Sequence, residues 1–198
     1  PFDVVTIMNL NTVLVIIVFY STIHTAHKYI HTKVFNIIIH TRQNIFAGFI
    51  NNYGTFDREE VIHAMADRII HRGPDDAHYY VDEDISLGFH RLSIIDLEGG
   101  RQPILNEDGS LVLLFNGEIY NYQNIREDLI RAGHTFTTKS DSEVILHGFE
   151  EYGKKVLDHL RGMFAFIIWN RNTKELFGAR DIFGIKPFYY YKNDGEFM

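Results

Sequence analysis

Residues 111–122 read Leu-Val-Leu-Leu-Phe-Asn-Gly-Glu-Ile-Tyr-Asn-Tyr, and this stretch constrains the fold more than any other. Five apolar residues in a row, met at once by Asn-Gly-Glu, predict a buried strand over 111–115. The strand is expected to stop at Asn116-Gly117-Glu118, with a helix opening at Asn121. Strand ends are where a rigid scaffold presents polar groups to a ligand. Asn116 can donate from its side-chain amide, and Gly117 brings an N–H close to a ligand with no side chain in the way. Two donors aimed at one point are what a developing oxyanion needs. The plain alternative is a turn, for which Asn-Gly is the strongest short hairpin signal.

The chain has 198 residues, which suits one domain, or one domain and a tail. At 45% hydrophobic and 14% aromatic it can bury a sizeable core. A net charge of −7 argues against a nucleic-acid binder, which is normally basic. There is no cysteine, so the chain as written has no disulfide, no thiolate zinc ligand and no thiolate nucleophile.

Residues 1–43 differ from the rest. They hold no Gly and no Glu, and their only charges are Asp3, Lys28, Lys33 and Arg42. The apolar run 13–20 is shorter than the ~20 residues that a membrane helix needs. The first ten residues carry no basic group, as a secretory leader would. His24, His27 and His31 can share a helix face with metal-ligand spacing, but no further ligand cluster supports them, so no metal site is assigned. The segment reads as a non-homologous extension, spurious or disordered, with a membrane anchor as the lesser reading.

Beyond it the chain reads as ordinary globular protein. A strand is predicted over 46–51 and a turn over 52–54. Asp57 with Glu60 marks a helix start, followed by Val61, Ile62, Met65, Ala66 and Ile69 at helical spacing. Strands are predicted over 79–82 and 85–90, with 91–96 carrying the second into a loop. A helix over 121–131 should bury Ile125, Leu129 and Ile130 and end at a left-handed Gly133. Ser140-Asp141-Ser142-Glu143 opens another, with Val144, Ile145 and Phe149 inward and Asp141 also available as its N-cap. A short helix over 154–160 and strands over 163–169, 175–179 and 188–191 complete a sheet-rich α+β pattern. Arg91 closes one strand and can clamp a carboxylate through two parallel hydrogen bonds. Asp141 can hold an ammonium. An Arg and an Asp together recognise the two ends of an amino-acid head group, although each alone is more often structural.

Five stretches then occur in order: His71-Arg72-Gly73-Pro74-Asp75, Arg91-Leu92-Ser93-Ile94-Ile95-Asp96, Asn116-Gly117-Glu118-Ile119-Tyr120-Asn121, Ser140-Asp141-Ser142-Glu143, and Ala179-Arg180-Asp181 with Gly184-Ile185-Lys186-Pro187. On these motifs the chain from about residue 44 to its end resembles the glutaminase domain of glutamine-hydrolysing asparagine synthetases. The resemblance implies an N-terminal-nucleophile hydrolase fold, a four-layer αββα sandwich of two antiparallel sheets. It implies that Arg91 binds the glutamine carboxylate and that the backbone of Leu92, Ser93, Ile94 and Ile95 lines the pocket. It also implies that Asn116 and Gly117 hold the oxyanion, that Glu118 contacts substrate, and that Asp141 takes the ammonium. Glutamine is the implied substrate, and the implied partner is a synthetase domain that uses ATP and Mg to amidate aspartate. No cofactor is implied in this domain, and the implied location is cytoplasmic. Assembly is left open, a homodimer included.

The family begins its first strand with Cys-Gly-Ile, the Cys being both nucleophile and bearer of the α-amine base. Here Asn44 stands at the Cys position and Ile45 at the Gly position, behind residues 1–43. An asparagine side chain is no nucleophile, so the chain as written is expected not to hydrolyse glutamine. The alternatives are a catalytically dead glutamine-binding module, tethered to a membrane through 13–20, or a structural domain that leaves the five motifs unexplained.

Overall fold

The computed structural model describes residues 4–7, 44–50, 57–91, 101–193 and 196–197. In chain order the elements are β1 (Val4–Ile7), β2 (Ile45–Ile50), α1 (Arg58–Asp67), β3 (Asp76–Val81), β4 (Ile85–Arg91), β5 (Ile104–Leu105), β6 (Leu111–Ile119), α2 (Tyr122–Ala132), α3 (Glu143–Tyr152), α4 (Val156–His159), β7 (Gly162–Asn170), β8 (Glu175–Arg180), β9 (Lys192–Asn193) and β10 (Glu196–Phe197). They form two antiparallel five-stranded sheets, ordered β1-β8-β7-β6-β5 and β3-β4-β2-β10-β9.

Alternation along the strands decides what faces what. From the first sheet, Val112 and Leu114 of β6 and Ala165, Ile167 and Trp169 of β7 pack against Phe46, Leu87 and Phe89 of the second. The intervening Leu113 and Phe115, with Phe164, Phe166 and Ile168, turn to Ile125 and Leu129 of α2 and Val144 and Ile145 of α3. Helix α1 covers the second sheet, seated where Gly88 gives room: a Cβ there would lie 3.3 Å from Ala66 Cβ. The result is the expected α+β sandwich of two antiparallel sheets with helices outside. Polar links cross the sandwich at the β3–β4 turn, where Lys174, between β7 and β8, pairs with Asp84. Trp169, fully buried, donates from Nε1 to Asp82 Oδ2 at 3.1 Å, while Asp82 Oδ1 accepts from the amides of Asp84 and Ile85 in the β3–β4 turn.

Local signals were sound where they were local. Asp57 caps α1 by accepting from the amides of Glu59 and Glu60, and Gly133 ends α2 at φ +105°. Five expectations need correction. Strand β6 does not stop at Asn116 but runs through Asn116, Gly117 and Glu118 to Ile119, paired residue by residue with β7. The hairpin-turn reading of Asn-Gly fails for the same reason. Ile130 is 51% exposed, because the inward stripe of α2 is carried by Ile125 and Leu129. Residues 188–190 have no ladder partner; the strand begins at Lys192. Asp141 does not cap α3: the N-cap is Ser142, whose side chain makes no capping bond. The turn at 52–54, the run 13–20, the histidines 24, 27 and 31, and residues 92–96 lie outside the described residues. Among the described residues no helix is long and apolar enough to cross a membrane.

Candidate active site

Asn44 lies just before β2 and is partly buried. The register pairs Ile45 with His90, so Asn44 and Arg91 are the next residues along these two neighbouring strands. Arg91 is the last residue of β4 and is buried. Its carbonyl accepts from the Asp75 amide at 3.1 Å, which ties the His71–Asp75 motif to this strand end. Gly73 makes the tie feasible, since a Cβ there would sit 2.7 Å from the His90 carbonyl oxygen.

Asn116 reaches the same place from the other sheet. A crevice between the sheets is lined by Ile45, Phe46, Arg72, Asn116, Phe188 and Tyr189. The start of β2 and the Asn116 amide, far apart in sequence, therefore share one wall. Gly117 is required by packing: a Cβ would stand 2.2 Å from the Met163 carbonyl oxygen and 2.7 Å from Phe164 Cα. The close approach that glycine permits here is to β7.

Asp141 meets the end of β6, where its Oδ2 accepts from the Ile119 amide at 2.8 Å. Burial pushes its pKa up, the Ile119 amide pulls it back, and the neighbouring Glu118 charge pushes it up again; the balance lies above the ordinary carboxylate value. An ammonium arriving beside Asp141 and Glu118 would relieve both the desolvation and the like-charge repulsion. Arg91 and Asp141 stand outside the lining of the crevice, one on the strand beside Ile45 and the other bonded to Ile119, three residues past Asn116. Leu92, Ser93, Ile94 and Ile95 lie outside the described residues.

Three buried polar residues received no role from the sequence. Arg72 lines the crevice, and burial lowers its pKa. Lys186 is also buried, its pKa lowered first by burial and then by the Arg72 cation, with Glu118 and Asp181 opposing. Asp181 holds the loop that carries Lys186: Oδ1 accepts from the amides of Phe183 and Ile185, Oδ2 from those of Phe164 and Lys186. Both cations sat inside motifs already noted. The available signal was charge flanked by Gly and Pro, which reads equally well as an exposed loop.

The sequence profile of the glutamine amidotransferase domain matches residues 46–198. The chain therefore belongs to the glutamine amidotransferase domain family. It is also similar to individual curated proteins. Asparagine synthetase [glutamine-hydrolyzing] 1 of Bacillus subtilis (strain 168) is 51% identical over 148 residues, covering 73% of this chain and 23% of that protein. Asparagine synthetase [glutamine-hydrolyzing] 2 of the same organism is 48% identical over 147 residues, covering 73% and 19%. This chain thus spans about a quarter or less of the length of these relatives. Among solved structures, the glutamine phosphoribosylpyrophosphate amidotransferase of B. subtilis superposes with a TM-score of 0.51 at 19% identity, over 69% of this chain and 41% of that one. That likeness supports the sandwich fold.

Proposed function

We propose that this chain is the glutaminase part of a glutamine-dependent asparagine synthetase, and that as written it binds glutamine without hydrolysing it. The observation that carries the reading is the crevice in which the start of β2 meets Asn116, with Arg91 on the adjoining strand. In a chain with Cys at position 44 and a free α-amine there, the amine would titrate near 7.7–8.0 and take the thiol proton. The thiolate would attack the side-chain amide of glutamine, with Asn116 and the Gly117 N–H receiving the oxyanion. Arg91 would clamp the glutamine carboxylate, Asp141 its ammonium, and Glu118 would complete the pocket with residues 92–95. Asn44 supplies no such nucleophile. No cofactor enters this chemistry; ATP and Mg would serve aspartate amidation in the remaining length of the relatives.

The surface supports a partner domain. Phe183 is 86% exposed, and Ile182, Ile185 and Tyr190 are exposed near it in sequence. Such a patch fits burial against the part of the relatives that this chain does not span. The proposed location is cytoplasmic.

Calorimetry with glutamine tests the reading. Arg91→Lys keeps the charge and loses the two-pronged geometry, and affinity is expected to fall at least tenfold. Asp141→Asn should weaken binding by a similar factor, yet leave Tm at neutral pH unchanged or higher. The sign follows from linkage. A raised folded pKa means that the folded state holds the Asp141 proton more tightly than the unfolded chain does. Stability is then lost as pH rises from the unfolded value through the raised one. Glutamine binding should run the other way, weakening as pH falls through that raised pKa. A folded chain that does not bind glutamine would sink the proposal.

A further inference from the structure

Away from the crevice, on the outer side of the first sheet, two imidazoles and a carboxylate converge. We propose that His134, His147 and Glu150 form a site for a borderline divalent metal ion of the Zn2+ type, which clamps the end of α2 to α3. His134 directly follows Gly133, and its amide bonds the Leu129 carbonyl at 3.0 Å, so the helix terminus sets its position. His147 and Glu150 are three residues apart on α3 and share a face. One ligand atom from each of the three residues lies within 4.8 Å of the others.

The geometry is more specific than a surface cluster. Glu150 Oε2 lies 2.8 Å from His147 Nδ1 and 3.7 Å from His134 Nδ1. Ligand atoms about 2.0–2.2 Å from a tetrahedral zinc are about 3.3–3.5 Å apart, a spacing that these two distances bracket. Each imidazole turns its other nitrogen to a separate carboxylate: His147 Nε2 lies 3.5 Å from Glu143 Oε1, and His134 Nε2 lies 3.2 Å from Glu151 Oε2. For His134 the contact is a hydrogen bond, the arrangement in which a carboxylate holds the Nε2 proton and leaves Nδ1 for a metal; for His147 the carboxylate stands at ion-pair distance.

The supporting groups are themselves fixed. Glu143 accepts from the amides and hydroxyls of Thr137 and Thr138. Asn106 Nδ2 donates to Glu150 Oε1 at 2.8 Å, which leaves Oε2 directed at the two rings. His147 is almost wholly buried, with the Phe136 ring 4.6 Å from it edge-on. Glu107, its Oε1 3.9 Å from His147 Nδ1 and half exposed, can swing in as a fourth ligand. His147 Nδ1 and Glu150 Oε2 meet at hydrogen-bond distance, and a bound ion would take the place of the proton shared between them. The spot requires a proton or a cation, and imidazole with carboxylate is a zinc-type donor set. The ion would also brace 137–143, the segment that carries Asp141. This proposal is independent of the glutamine reading.

The test uses the full chain with His24, His27 and His31 replaced by alanine, so that the tail contributes no ligand. Zn2+ is titrated calorimetrically, and melting is followed with Zn2+ and with EDTA. One equivalent should bind and raise Tm. His134→Gln and Glu150→Gln, both at partly exposed positions, should keep the circular dichroism spectrum and bind at least about tenfold more weakly. Absence of Zn2+ binding, or an affinity in either variant equal to that of the parent chain, overturns the proposal.

Discussion

Replacing Gly117 with alanine is expected to destabilise the domain by about 3 kcal/mol or more, at the upper end of what an added methyl costs in a packed interior. The new Cβ would lie 2.2 Å from the Met163 carbonyl oxygen and 2.7 Å from Phe164 Cα. Both obstacles are backbone of β7, so no side chain can swing aside and the ladder itself must part. Gly162 faces the same problem from β7, with a Cβ 2.0 Å from the Glu118 carbonyl oxygen. The comparison variant is Gly133→Ala, where nothing lies within 4 Å and the cost comes from the left-handed backbone, about 1–2 kcal/mol. Urea unfolding of the three variants should rank Gly117 and Gly162 together, well below Gly133. Equal midpoints would mean that β6 and β7 are not so closely paired at the site.

Asp181→Ala is expected to cost a comparable amount, about 3 kcal/mol or more, through a different mechanism. Four backbone amides lose their acceptor, and those of Phe164 and Lys186 are buried. A buried donor left unpaired costs about 1–3 kcal/mol. Each carboxylate oxygen accepts from two amides, so Asp181→Asn keeps one pair and turns an NH2 toward the other. It should fall between wild type and alanine in a thermal melt. A melt in which alanine matches wild type would show that water replaces the carboxylate, and that the loop with Lys186 does not depend on it.

Sequence signals are legible where they are local or where a polar residue closes an apolar run. Asp57, Gly133 and the stripe of Ile125 and Leu129 carry helix ends and faces within a few residues. Arg91 and Asn116 stood out for the second reason; both are buried, Arg91 at the end of β4 and Asn116 in the crevice wall. Such signals mislead where pairing overrides propensity. Asn116-Gly117 has the composition of a turn, yet β7 supplies partners through Ile119 and the missing Cβ is what lets the strands approach. Arg72 and Lys186 were illegible as neighbours, because 114 positions separate them and each sits in a loop-like context. The His134, His147 and Glu150 cluster was hidden for the same reason: one imidazole follows a helix end and the other lies inside the next helix.

The central claim is that the glutaminase pocket persists around a missing nucleophile. Glutamate release tests it most directly, measured on a chain that begins at residue 44 with Asn44→Cys, so that removal of a starting Met exposes the thiol and its amine. The family match begins at residue 46, so none of it is removed. Ile45 is buried against Ala47 and Ile69, so Ile45→Gly is added in a second variant and not in the first. Glutamate should appear with at least one of the two, be released at least tenfold more slowly at sub-saturating glutamine on Arg91→Lys, and be absent with the original chain. Silence from both Cys-bearing chains, each folded by circular dichroism, or release from the original chain, would contradict the account.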